Sequence, residues 1–156
     1  MIVYRCSTSK WAKDLSGTGA SLYGGRWNTP GSFLLYTAEN NILAALEIAI
    51  RIPLEQIGKD YVMIPIEVPD GLEAYTPKLP KNWYSDAETT QRLGDDFVRQ
   101  NTHLLMKVPS ALISDAYNFL INPQHELIKK VKTLEPKSIL LDKRLADIIR
   151  TKGEKS

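Results

Sequence analysis

The chain has 156 residues, 43% of them apolar and 24% charged, with a net charge of +2. That is the size and composition of one ordinary globular domain, which argues against dominant disorder, and no apolar run approaches the roughly 20 residues needed to cross a bilayer. The start, residues 1–10, lacks the basic-then-apolar pattern of a secretion signal, and the single cysteine, Cys6, can form no internal disulfide, so the expected compartment is the cytoplasm.

Residues 2–6 read as a first strand, with Cys6 as packing rather than a nucleophile. Residues 14–32 hold five of the nine glycines and few apolar side chains. A long glycine-rich loop in a compact domain is usually functional. Residues 33–37 read as a buried strand. Asn40 or Asn41 can cap a helix running to about Arg51, which Pro53 stops. Residues 61–68 read as a strand in which Pro65 points to a sheet edge or a bulge. Residues 69–85 form a loop around Trp83 and Tyr84, and residues 86–101 a helix with Gly94 as its flaw. Residues 103–108 and 111–113 read as strands on either side of a Pro109–Ser110 turn, and residues 116–122 are an apolar run ending at Asn122–Pro123. Residues 125–133 read as a short helix or strand, 138–141 as a strand and 142–152 as a final helix. Helices and strands mix without βαβ alternation, which gives an α+β domain over residues 1–150 followed by a basic tail, 151–156.

Charge is unevenly spread. Residues 1–120 carry 11 basic and 13 acidic side chains, and residues 121–156 carry 9 and 5. A basic end can meet nucleic acid, but no aromatic residues interleave with these lysines, and a solvated helix face with a frayed terminus accounts for them better.

Four places could carry chemistry. Gly24 and Gly25 allow close backbone approach to a ligand, and Arg26 offers a planar fork of donors suited to a pyrophosphate or, alternatively, is a surface arginine on a turn. Tyr36 ends an apolar strand, where it packs or stacks on a flat cationic ring. Glu47 is the only charged residue of the apolar run 42–50. It is either a functional carboxylate or half of an exposed Glu47–Arg51 pair one helical turn apart. Ser110 and His125 could suggest a hydrolase, but no G-x-S-x-G elbow and no third member accompany them, so Ser110 reads better as a hydrogen-bonding group. Two histidines and one cysteine, widely spaced, give no metal-ligand set.

Taken jointly, these stretches resemble the RES domain. The likeness begins at Tyr4-Arg5 and Gly19-Ala20, runs through Leu22 to Gly31 (with Gly24-Gly25-Arg26-Trp27-Asn28 at its centre), and includes Leu35-Tyr36-Thr37-Ala38 and Ala45-Leu46-Glu47. It resumes at Asn82-Trp83, Thr90, Gly94-Asp95, Val108-Pro109-Ser110-Ala111, Asn118 to Pro123 with His125, and closes at Asp142 and Arg144-Leu145. Phe97, Glu126 and Lys143 depart from the usual spelling. The resemblance implies a split, twisted β core with flanking helices, similar to ADP-ribosyltransferases of the diphtheria-toxin kind. It implies the toxin of a type II toxin–antitoxin pair, with NAD⁺ as substrate and no metal. NAD⁺ would be depleted by hydrolysis or phosphorolysis, or its ADP-ribose transferred to a protein. It implies an antitoxin partner with a helix-turn-helix domain, DNA contact only through that partner, and pairing as a homodimer. By position, Arg26, Tyr36 and Glu47 would form the catalytic site. Arg26, Tyr36, Ser110, Arg5 and Gly25 would bind NAD⁺. The rival classes are a non-catalytic interaction module that keeps the fold and a nucleic-acid binder using the basic end.

Overall fold

The computed structural model describes residues 1–142, 144 and 145. One antiparallel sheet of seven strands runs through it: β1 (Ile2–Thr8), β2 (Leu35–Ala38), β3 (Tyr61–Glu67), β4 (Leu105–Pro109), β5 (Tyr117–Ile121), β6 (Lys132–Thr133) and β7 (Lys137–Ser138). Their order is β4-β5-β2-β1-β3-β6, with β7 pairing β3 further along. Four helices accompany them: α1 (Thr18–Tyr23), α2 (Asn41–Ala49), α3 (Leu54–Asp60) and α4 (Ala87–Gln100). The class is the α+β expected from the sequence.

Alternation along the strands sorts the core. Val3, Leu35, Ile64, Ile66, Leu105 and Ile121 share one face of the sheet. The other face is covered in two pieces. Trp27, Leu34, Phe97 and Val98 pack on Met106, Val108 and Leu120 of the β4–β5 end. Leu43, Ala44, Ala49 and Ile57 pack with Met63 on the β1–β3 end. Each fully buried side chain of this size contributes about 1.5–3 kcal/mol, so α2 is held to the sheet by its apolar stripe. Its start is set by Asn40, whose side-chain oxygen accepts from the Leu43 N–H at 2.8 Å.

The two halves meet at a narrow seam. β1 pairs β3 over all seven of its residues, but pairs β2 only at Tyr4↔Ala38. Beyond that point β1 and β2 diverge, and the sheet forks.

Several expectations are corrected. Pro65 lies at neither an edge nor a bulge: β3 is an interior strand. The outer side of β3 is covered by β6 at Ile66 and Glu67 and by β7 at Val62 and Met63, so the proline falls in the gap between them. There its missing N–H costs no ladder bond, while its carbonyl accepts from Leu134 N at 2.9 Å. Residues 111–113 are not a strand but exposed bends, and β4 pairs instead with β5. The loop 14–32 contains the short helix α1. Residues 125–133 are both alternatives in turn, a 3₁₀ helix over Glu126–Lys130 and then β6. The strand expected at 138–141 is the two-residue β7. Most of the expected final helix, and the tail 151–156, lie outside the described residues. The free edge of β4 is covered too: Tyr75 N donates to Leu105 O at 2.9 Å, and Lys107 N to Tyr75 O at 2.8 Å.

Gly94 is no flaw. A Cβ there would overlap the Trp27 carbonyl oxygen, so α4 lies directly on the backbone of the glycine-rich loop. Gly94→Ala forces backbone apart and is expected to cost about 1–3 kcal/mol, read as a fall in the urea midpoint. An unchanged midpoint would mean that the two segments separate freely.

Candidate active site

The fork between β1 and β2 opens into a cavity of about 210 Å³. Tyr4, Arg5 and Cys6 line it from β1, Leu35 to Ala38 from β2, Ala44, Glu47, Ile48 and Arg51 from α2 and the residues after it, and Asn118 from β5. Gly17, Gly19 and Ala20 close the side formed by the glycine-rich loop. Among the described residues, Glu47 is its only carboxylate, and Arg5 and Arg51 its only cations. A second, larger hollow of about 350 Å³ lies on the outer side of α2. Among the described residues its lining is mostly apolar and holds no carboxylate, so the convergent polar groups mark the first cavity as the candidate.

Glu47 sits mid-way along α2 and its side chain is 25% exposed. Its Oε1 accepts from Asn118 Nδ2 at 2.9 Å and from Ser110 Oγ at 3.4 Å. Arg51, one turn on, stays 3.9 Å from Oε2. The pair with Arg51 expected from the helical spacing exists, and both residues line the cavity. Ser110 is buried and also accepts from Leu112 N at 3.1 Å. His125 is occupied elsewhere, its Nδ1 accepting from Leu127 N at 3.2 Å, so no serine–histidine pair forms.

Tyr36 presents its ring to the cavity while its hydroxyl is tied down behind. That hydroxyl donates to Asn28 Oδ1 at 2.8 Å and accepts from Trp27 N at 3.0 Å. Burial raises its pKa to about 12. Gly25 is glycine for a steric reason: a Cβ there would stand 2.5 Å from the Tyr36 hydroxyl oxygen. Asn28, fully buried, donates from Nδ2 to the carbonyls of Ala20, Thr29 and Ser32.

Arg5 reaches into the cavity from β1 and donates to the Asp14 carbonyl at 2.6 Å. Burial pulls its pKa below the ordinary arginine value, and the Asp14 carboxylate opposes that. Arg26 does not line the cavity. Its Nη1 donates to the Tyr84 carbonyl at 2.8 Å, and its guanidinium lies 5.9 Å from the Trp83 ring centre. The structure thus brings together Glu47, Tyr36, Ser110 and Arg5, and leaves Arg26 on the adjoining aromatic loop. The cavity residue to which sequence reasoning gave no role is Asn118, whose signals were a polar side chain inside the apolar run 116–122 and its place in the stretch, 118–123, that resembles the RES domain.

Cys6 lines the cavity with its Sγ 3.8 Å from Met63 Sδ. Burial raises its pKa to about 12. Because only the thiolate attacks, raising the pKa removes the reactive form at neutral pH. Alkylation at pH 8 is expected to run roughly a thousandfold slower than that of a free thiol of pKa ~8.5. A rate near that of free cysteine would show a thiol open to solvent.

Comparison with known proteins follows the same outline. Residues 2–142 match the model of a family described as the RES domain. A protein named Prs ADP-ribosylating toxin, from Sphingobium sp. (strain YBL2), is 35% identical over 143 residues, covering 86% of this chain and 88% of its own. A protein named Toxin Res, from Yersinia enterocolitica, is 32% identical over 151 residues, covering 93% and 99%. Among solved structures, the M. tuberculosis MbcT–MbcA toxin–antitoxin complex contains a similar fold, with a TM-score of 0.71 at 20% identity, covering 96% of this chain and 88% of that one.

Proposed function

The chain belongs to the RES domain family, and from that membership we propose that it is the toxin of a toxin–antitoxin pair that cleaves the nicotinamide–ribose bond of NAD⁺ in the cavity between β1 and β2. The observation that carries this reading is one carboxylate, Glu47, held by neutral donors in a cavity whose other charges, among the described residues, are cations.

The chemistry matches that arrangement. The C1′–N bond breaks with its electron pair going to nicotinamide, which leaves neutral from a cation and needs no strong general acid. Positive charge develops on the ribose, as in glycoside cleavage. A fixed carboxylate in a partly dry site stabilises it. Glu47 takes this role, with Oε2 as the oxygen turned to the ribose. The ring of Tyr36 stacks on the nicotinamide. Ser110 restrains Glu47. At about 210 Å³ the cavity is smaller than the 300–1,000 Å³ usual for ligand sites. It therefore takes the nicotinamide riboside half, and the remainder of the dinucleotide lies toward the surface. Arg5, which lines the cavity, takes the role of phosphate ligand. Arg26 joins the pyrophosphate by releasing the Tyr84 carbonyl, which links substrate binding to the loop carrying Trp83.

An acceptor oxygen then bonds to C1′ and gives up its proton. Water makes the protein a glycohydrolase, phosphate a phosphorylase and a protein side chain a transferase. The name of the Sphingobium relative favours the last as the second reading. A cognate antitoxin with a helix-turn-helix domain, contact with DNA only through it, pairing of toxin copies and a cytoplasmic setting complete the proposal. The solved toxin–antitoxin neighbour supports the antitoxin.

Purified protein incubated with NAD⁺, with and without phosphate, is expected to release nicotinamide, followed by chromatography. Glu47→Gln is expected to lower turnover by about 10²–10³-fold while NAD⁺ binding by calorimetry persists. Turnover by that variant at the parent's rate would remove Glu47 from the mechanism. Arg5→Met is expected instead to raise KM roughly tenfold, the loss of one charge-assisted hydrogen bond, with kcat nearly constant. A change confined to kcat would contradict its phosphate role.

A further inference from the structure

We infer that Asn118 is the positioning residue of this site: its amide sets which oxygen of Glu47 faces the ribose, and does so without neutralising the carboxylate. The inference rests on the NAD⁺-cleavage reading above.

Register places Asn118 firmly. It lies on β5 opposite Ala38 of β2 on one side and Val108 of β4 on the other, so its backbone is clamped between two strands. Its side chain leaves the sheet on the face that carries α2 and lines the cavity. Facing a carboxylate, only the NH₂ end of an amide is attractive, and Nδ2 donates to Glu47 Oε1 at 2.9 Å. Ser110 adds a longer bond of 3.4 Å to the same oxygen. Oε1 is thereby committed to the sheet, and Oε2 is left with Arg51 at 3.9 Å.

The chemical type of the donor matters as much as its place. An arginine or lysine at position 118 would hold Glu47 equally well but cancel the charge that the forming ribosyl cation needs. An amide and a hydroxyl orient the carboxylate and leave its charge intact. Arg51, the one cation near it, is held outside ordinary hydrogen-bond range. Without Asn118 only the longer Ser110 bond opposes closure of that pair. Glu47 would turn along its own helix toward Arg51, away from the ribose.

Three variants test this. Asn118→Leu keeps the branched outline of the side chain and removes the donor. It is expected to lower kcat for nicotinamide release by about 10–100-fold, the scale of a misplacement near 1 Å, with KM within a few fold and the melting temperature close to the parent's. Ser110→Ala should have the smaller effect of the two. Asn118→Asp sets a second carboxyl against Glu47. Two carboxyls at that distance cannot both ionise, so one retains its proton to higher pH than usual. The introduced group donates only while protonated, so this variant alone should regain activity as pH falls. A purely structural role for Asn118 would give no such pH profile. Unchanged kcat in Asn118→Leu, or an Asn118→Asp profile parallel to the parent's, would overturn the inference. A crystal structure of Asn118→Leu decides independently of activity. The Glu47 carboxylate is expected to close on Arg51, and its retention in the parent position would overturn the inference. Absence of nicotinamide release by the parent protein, with and without phosphate, would instead overturn the glycohydrolase and phosphorylase readings, leaving that structure to test the placement of Glu47.

Discussion

The site depends on one buried amide. Asn28 is sealed from solvent, yet both ends of its side chain are satisfied, with Nδ2 shared among three loop carbonyls and Oδ1 accepting the Tyr36 hydroxyl. An unpaired polar group in that position would cost about 1–3 kcal/mol, so the glycine-rich loop has one conformation that closes the account. That conformation stacks Trp27 on Trp83 at 5.8 Å, brings Gly25 against the Tyr36 hydroxyl and lays α4 on the Trp27 backbone. The loop thereby becomes a wall of the cavity rather than a mobile cover.

The second constraint is the fork. A continuous antiparallel sheet leaves no room for a ligand between adjacent strands. Here β1 and β2 share a single register pair, at Tyr4 and Ala38, and part beyond it. The cost of unmade ladder bonds is limited by keeping β1 fully paired to β3 and β2 fully paired to β5. Each half of the sheet also has its own helical cover, α4 on one and α2 with α3 on the other. Glu47 comes from one half and its donors Asn118 and Ser110 from the other, so the carboxylate spans the fork.

Much of this was legible in residue order. The strand at the N-terminus, the Asn40 cap and the helix carrying Glu47 follow from local chemistry, because each is decided by neighbours within a few residues. Class followed from the lack of βαβ alternation. The misses are matters of long-range geometry. Gly94 looked like a defect because the reason for it, the Trp27 carbonyl, lies 67 residues back in the chain. Pro65 looked like an edge residue because the gap between β6 and β7 cannot be seen from β3 alone. Asn118 passed as one more member of an apolar strand, since its partner on α2 is separated from it by 71 positions. Arg26 was read for its donors, and nothing in its neighbourhood announced that Tyr84 would take one of them.

Both rims of the sheet are broken up in a way that bears on how such a chain survives in a crowded cell. Along the outer side of β3, two-residue strands stand on either side of a proline, and along β4 the peptide of Tyr75 occupies the groups around Met106. Among the described residues neither rim offers a run of free amides long enough for a further strand to join, which is the usual route by which sheet proteins recruit one another into aggregates. A sheet that must split in the middle to hold its ligand is thus closed at its ends, and the opening it keeps is the one that serves the site.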